Sequence, residues 1–214
     1  MKKILYSVAL AACCMGTMTS CSDFLDASNK SNVTAKQSFA TKEGLNNLVN
    51  NAYQHLQNVY AAPLFTSCFS AGTDMYADAR NKMDEALNTY ETLTPENTDI
   101  KNLYTYLYSG IRAANSVSYY AQTAQVDDKT KGQLVGEARV LAAYEYYLLV
   151  NNFGGVPIMK DFLTTADTGY PKSSATDVYA YIISELEDVI SKNVLQASTA
   201  TKGGGRISQE TAKA

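Results

Sequence analysis

Residues 136–157 read GEARVLAAYEYYLLVNNFGGVP, and the spread of their apolar side chains decides the architecture. With successive residues ~100° apart on a helix, Leu134, Ala138, Leu141, Leu148 and Leu149 fall on one side. Val135, Ala142, Tyr146 and Val150 occupy the next, and Val140, Tyr144 and Tyr147 the far side. A helix apolar round most of its circumference has to be wrapped by others. The Gly154-Gly155 pair supplies a left-handed turn at its end and Pro157 forbids continuation. A lone Gly-Gly with neither dinucleotide spacing nor a preceding strand is no phosphate loop.

The flanking segments supply the wrapping helices. Upstream, Thr41 caps a helix with Leu45, Leu48, Val49, Ala52, Tyr53 and Leu56 at i, i+3, i+4 spacing. A second starts near Asn97 to Asp99 and runs to about Gln122, with Ile100, Leu103, Tyr104, Leu107, Ile111, Ala114 and Val117 packed. Asn115 lies beside that stripe and is expected to hydrogen-bond a neighbouring helix. Asp127 and Asp128 open the central helix, acids being favoured at that end, so the two long helices form an antiparallel hairpin. Downstream, Ser174 to Asp177 cap a helix carrying Val178, Tyr181, Ile182, Leu186, Val189 and Ile190. The chain closes on GGGRISQETAKA, a glycine linker and the first turns of another helix. The expected fold class is all-α: tetratricopeptide-like helix pairs in a right-handed superhelical scaffold with irregular loops, although no strict ~34-residue repeat emerges.

The N-terminus reads as an export signal. Lys2 and Lys3 form a basic n-region, Ile4 to Ala12 an apolar h-region, and small residues lead to Cys21. The apolar run is far short of the ~20 residues that span a bilayer. Residues 1–20 are therefore expected to be a lipoprotein signal peptide, with Cys21 acylated and residues 21–40, polar and aperiodic, as a flexible tether. A multiply acylated Cys gives stable anchoring where one chain is marginal. Leu10-Ala11-Ala12-Cys13 fits the lipobox better than Met18-Thr19-Ser20-Cys21, but cleavage there leaves a shorter h-region, so Cys13 stands as the competing site. Acylation of Cys21 leaves Cys68 a lone thiol and no disulfide framework.

Composition narrows the function. At 214 residues, 46% hydrophobic and 18% charged, the chain suits one globular unit or part of a larger one. The net charge of -3 falls to -5 once Lys2 and Lys3 leave with the signal, which argues against a nucleic-acid partner. His55, the sole histidine, has no ligand-spaced neighbours and is expected to be a satisfied border residue rather than a metal ligand. Glu137 and Glu145 lie roughly 12 Å apart by helical rise, too far for a glycosidase pair. Glu145 and Arg139 sit some 120° apart on the helix, so each is expected to find a partner elsewhere. No catalytic residue, metal site or cofactor is expected.

The sequence between Tyr60 and Pro95 breaks the helical pattern, with Pro63, Gly72 and Thr73-Asp74 marking turns and a short helical piece between Met83 and Tyr90. Loops on rigid scaffolds are where binding residues concentrate. Asp74, Tyr76, Arg80 and Asn81, with Asp78 and Tyr90 beside them, combine flat rings with forked polar groups, the chemistry that holds a sugar. The alternative is a solvated loop with Tyr tucked beneath it.

Taken in order, the lipid-type Cys21 with SDFLD, TKEGLNNLVNNAYQHL, RAANSV, GEARVLAAYEYYLLVNNFGGVP, PKSSATDVYAYIISELEDVI and GRISQETAKA resemble the SusD/RagB family across essentially the whole mature chain. The resemblance implies a non-enzymatic, lipid-anchored outer-membrane protein that binds a glycan, such as a starch-like polysaccharide. It also implies a SusC-like TonB-dependent transporter as partner. Residues 41–214 would be the N-terminal helical domain, incomplete at its C-terminal side because family members are much longer. Two positions depart from the family pattern: Ala142 replaces a usual Arg or Lys, and Glu145 stands where an aromatic is common. A helical protein-interaction scaffold, a non-functional fragment and, least favoured, a glycoside hydrolase are the alternatives.

Overall fold

The structure is a computed structural model that describes residues 34–61, 63–76, 85–165, 169–198 and 205–214. Cys21 and Cys13, with the signal and most of the tether, lie outside the described residues, as do Asp78, Arg80 and Asn81. The helices are α1 (Ala35–Ser38), α2 (Lys42–Tyr60), α3 (Leu64–Phe69), α4 (Glu85–Thr89), α5 (Thr98–Ala121), α6 (Asp128–Phe153), α7 (Ala175–Lys192) and α8 (Gln209–Lys213). Among the described residues there is no β-strand, and isolated bridges join Thr73 to Tyr76 and Pro157 to Lys172. The helical body begins at Ala35, inside the stretch expected to be tether. Phe39 closes that entry by packing on Tyr120, with ring centroids 4.8 Å apart.

Each long helix starts where a short polar side chain replaces a missing intrahelical acceptor. The Thr41 hydroxyl accepts from the Gly44 amide, and Asn97 from those of Asp99 and Ile100. Asp127 accepts from Thr130, and Ser174 from Asp177. At the far end of α6, Gly154 takes φ 69°, which an L side chain resists. Gly155 serves a different purpose: a Cβ there would stand 2.2 Å from the Ser173 carbonyl oxygen. Bare backbone lets residues 172–174 run against Val156, whose carbonyl accepts the Ser173 amide at 3.2 Å.

Helices α2, α5, α6 and α7 pack in sequential pairs, and α2 also touches α6. Small residues sit where α2, α5 and α6 meet, namely Ala52, Ala113, Ala114, Ala138 and Ala142, around Leu45, Val49, Val117 and Leu141. A second core layer gathers Leu103, Leu107 and Ile111 of α5 with Tyr146 and Leu149 of α6 and Val178 and Ile182 of α7.

The expected wrapping of α6 is complete on two sides and partial on the third. Val140 is buried with Val189, Leu195 and Ala212. Tyr144 and Tyr147, one turn further along, remain 39% and 47% exposed. They line a groove of about 640 Å³ with Ile182, Leu186, Ile207 and Ala214.

Candidate functional site

The loop that follows α2 is built on a short aromatic base. Leu64 and Ser67 of α3 are buried, and Tyr60, Phe65 and Phe69 stack in series with centroids 5.2 Å apart at each step. Tyr60 continues the row by hydrogen-bonding the hydroxyl of Tyr144. Cys68 sits half-buried in α3 as a free thiol. Burial, with the nearby Asp99 carboxylate, pushes its pKa up to about 12, so it stays protonated and is a packing residue rather than a nucleophile.

Beyond α3 the chain turns sharply. The Thr66 carbonyl accepts the amides of Ser70 and Ala71, the Thr73 hydroxyl donates to the Ser70 carbonyl at 2.8 Å, and Gly72 adopts φ 71°. The tip from Thr73 to Tyr76 is thereby held outward, and Asp74 and Tyr76 are both exposed. Tyr90, after α4, also has a left-handed backbone with φ 62°. Its hydroxyl stands over Gly72, 2.2 Å from where a Cβ would lie. The rings of Tyr76 and Tyr90 are 44% and 57% exposed on this loop. Of the expected sugar-binding residues, the structure therefore presents Asp74 and Tyr76 to solvent and brings Tyr90 against the same turn, while Arg80 and Asn81 fall outside the described residues.

The charged residues of the core do structural work. Glu137, fully buried, accepts from Tyr53 and Gln133 at 3.2 Å each and pairs with Arg206 Nε at 2.6 Å. The Tyr53 hydroxyl also accepts the Ile207 amide at 2.8 Å. Arg139 bridges to Glu185 at 2.7 Å and to Asp188, both on α7. The acid and the base of the GEAR segment are thus staples, one to the Arg206 segment and one to α7.

Three expectations need correction. Glu145 finds no partner among the described residues: it is fully buried with both carboxyl oxygens unbonded, packed on Gly110 of α5, where a Cβ would meet its Oε1 at 1.7 Å. Burial raises its pKa well above the ordinary carboxylate value. Asn115 does find a partner, but it is the Met159 carbonyl at 2.8 Å, in the loop after α6 rather than on a helix. His55 is not satisfied either, because its Nδ1 is buried without a hydrogen-bond partner among the described residues. Among the described residues no cluster of His, Cys, Asp or Glu could hold a metal.

A SusD-like family model, described as starch-binding and associating with the outer membrane, matches residues 23–204. A SusD-like protein of Formosa agariphila is 28% identical over 190 residues, covering 86% of this chain and 36% of that protein. The crystal structure of a SusD-like carbohydrate-binding protein from Bacteroides fragilis superposes with a TM-score of 0.51 at 26% identity, over 56% of this chain and 23% of its own. A SusD homologue from Bacteroides thetaiotaomicron superposes with a TM-score of 0.67 at 20% identity, over 86% of this chain and 36% of its own, and shows the shared fold. The chain spans about a third of the length of the curated relative it matches.

Proposed function

The chain belongs to the SusD-like family of starch-binding, outer-membrane-associating proteins, and on that premise we propose that it binds a glycan at the outer membrane and assists its uptake through a SusC-like TonB-dependent transporter. The match over residues 23–204 is the observation that carries this reading. It is supported by the Bacteroides fragilis relative, which is a carbohydrate-binding protein. The binding surface is the loop after α3, where Tyr76 and Tyr90 offer flat faces to sugar C–H groups and Asp74 accepts from hydroxyls. Arg80 and Asn81 complete it as forked donors. We read the role as non-enzymatic; the burial of Glu137 and Glu145, which keeps both out of reach of a substrate, supports this for that pair.

Affinity electrophoresis through gels containing soluble starch and other neutral polysaccharides tests this. The mature protein is expected to be retarded by at least one polysaccharide. Replacing Tyr76 and Tyr90 together by Ala is expected to weaken that binding about tenfold or more, as truncating aromatic hot spots does. No retardation by any polysaccharide, with a soluble protein captured in pull-down, would move the reading to a protein-interaction scaffold. Measurable sugar release would revive the hydrolase.

The anchor is part of the same reading. Among the described residues no helix is long and apolar enough to cross a membrane, and acylated Cys21 would hold residues 35–214 to the bilayer through the tether. Cys21→Ala is expected to leave the protein unacylated and released from the membrane fraction. Mass spectrometry placing the acyl chains on Cys13 would overturn that assignment.

A further inference from the structure

The three arginines among the described residues are used differently. Arg139 and Arg206 are each neutralised by carboxylates. Arg112 forms no salt bridge among the described residues; its guanidinium lies 5.4 Å from the centroid of the Phe162 ring. It projects from α5 beside a concavity of about 320 Å³, within the range of small-ligand clefts. Among the described residues no acidic side chain lines that concavity. Asn51 and His55 from α2 and Ser109 from α5 form its polar wall, and Phe162 and Tyr120, with centroids 5.8 Å apart, form an aromatic one.

The aromatic wall is held in place. The loop carrying Phe162 is tied to α5 and α6 by Asn115 donating to the Met159 carbonyl and by the Met159 amide donating to the Tyr146 hydroxyl at 2.7 Å. Asp161 lines a second concavity that Arg112 also lines, with no salt bridge between the two. Arg112 is therefore an exposed cation with no ion pair among the described residues, beside a flat ring and neutral hydrogen-bonding groups.

We propose that this concavity binds a uronic acid unit of an acidic glycan, with Arg112 taking the carboxylate, Phe162 and Tyr120 the ring face, and Asn51 and Ser109 the hydroxyls. The guanidinium fork matches a planar carboxylate, and the aromatic faces suit sugar C–H groups. The site is separate from the Asp74 and Tyr76 turn, whose one described charge is acidic and suits a neutral sugar. The inference rests on the glycan-binding reading and narrows its ligand class.

The test is calorimetric titration of the mature protein with oligogalacturonate and oligoglucuronate, against maltooligosaccharides of equal length. Wild type is expected to bind a uronate oligomer, more weakly at high salt. Arg112→Gln is expected to lose about ten- to hundredfold of that affinity, Arg112→Lys to recover part of it, and neither to change maltooligosaccharide binding or the melting temperature. Uronate binding that survives Arg112→Gln overturns the proposal. So does binding of maltooligosaccharides with none of either uronate oligomer, which leaves the glycan reading intact. Binding of no saccharide at all sinks both.

Discussion

Arg206→Ala is expected to destabilise the helical body by about 3 kcal/mol, the cost of removing one partner of a buried ion pair. Glu137 has no solvent exposure, and Arg206 is its only cation within ion-pairing distance among the described residues. Arg206 also donates to Asn50 at 3.0 Å and lies 5.6 Å from the centroid of the Tyr53 ring, so its loss loosens residues 206–207 from α2 as well as from α6. Arg206 is partly exposed, which places the effect at the lower end of the range for buried pairs. Urea unfolding of the single variants and of Glu137→Leu with Arg206→Ala checks the mechanism. The double variant should be more stable than Arg206→Ala alone, because no unpaired charge then remains buried. A loss under about 1 kcal/mol for Arg206→Ala would be the behaviour of a surface pair and would contradict the staple.

Glu145→Leu is expected to have the opposite sign and to depend on pH. The carboxyl is buried against Gly110 without a hydrogen bond, and burial raises its folded pKa well above 4.5. The folded state therefore keeps its proton at pH values where the unfolded state has released it. Stability is fully present below the unfolded pKa. It is lost at about 1.4 kcal/mol per pH unit as pH rises toward the folded pKa. Leu removes both the unpartnered polar group and this slope. The gain over wild type should be smallest near pH 4 and grow with pH above the unfolded value until the folded pKa is reached, measured as the difference between paired urea titrations so that other groups cancel. A pH-independent difference would mean that the carboxyl is solvated or partnered.

How far the sequence could be read varies with the range of the interaction. Thr41, Asn97, Asp127 and Ser174 were legible as helix starts because a cap acts within three residues. The Gly154-Gly155 turn was legible because a left-handed turn is a local property. Periodicity also gave the buried faces of α2, α5 and α7. It could not say that Tyr144 and Tyr147 face an open groove, since an exposed ring and a buried one have the same spacing. The missing partner of Glu145 was illegible for a related reason: helix geometry excludes Arg139 but does not report what α5 places opposite, which is bare Gly110. At the candidate site, the turn signals of Gly72 and Thr73-Asp74 made the exposed tip legible, which places Asp74 and Tyr76 in solvent without testing their role. The approach of Tyr90 to Gly72 depends on two left-handed residues 18 positions apart, and no local pattern predicts it. That Arg112 has no ion pair among the described residues is likewise a tertiary fact.

These observations divide the molecule into a stapled frame and an exposed loop, and amide hydrogen exchange with and without a saturating starch oligosaccharide tests that division most directly. The account predicts protection gained across residues 70–90, where Tyr76 and Tyr90 stand out from the turn, with α5 and α6 unchanged because their amides are already bonded within the helices. Protection appearing instead along the Tyr144 and Tyr147 groove, or no change across residues 70–90 with whichever glycan the protein binds, would contradict it.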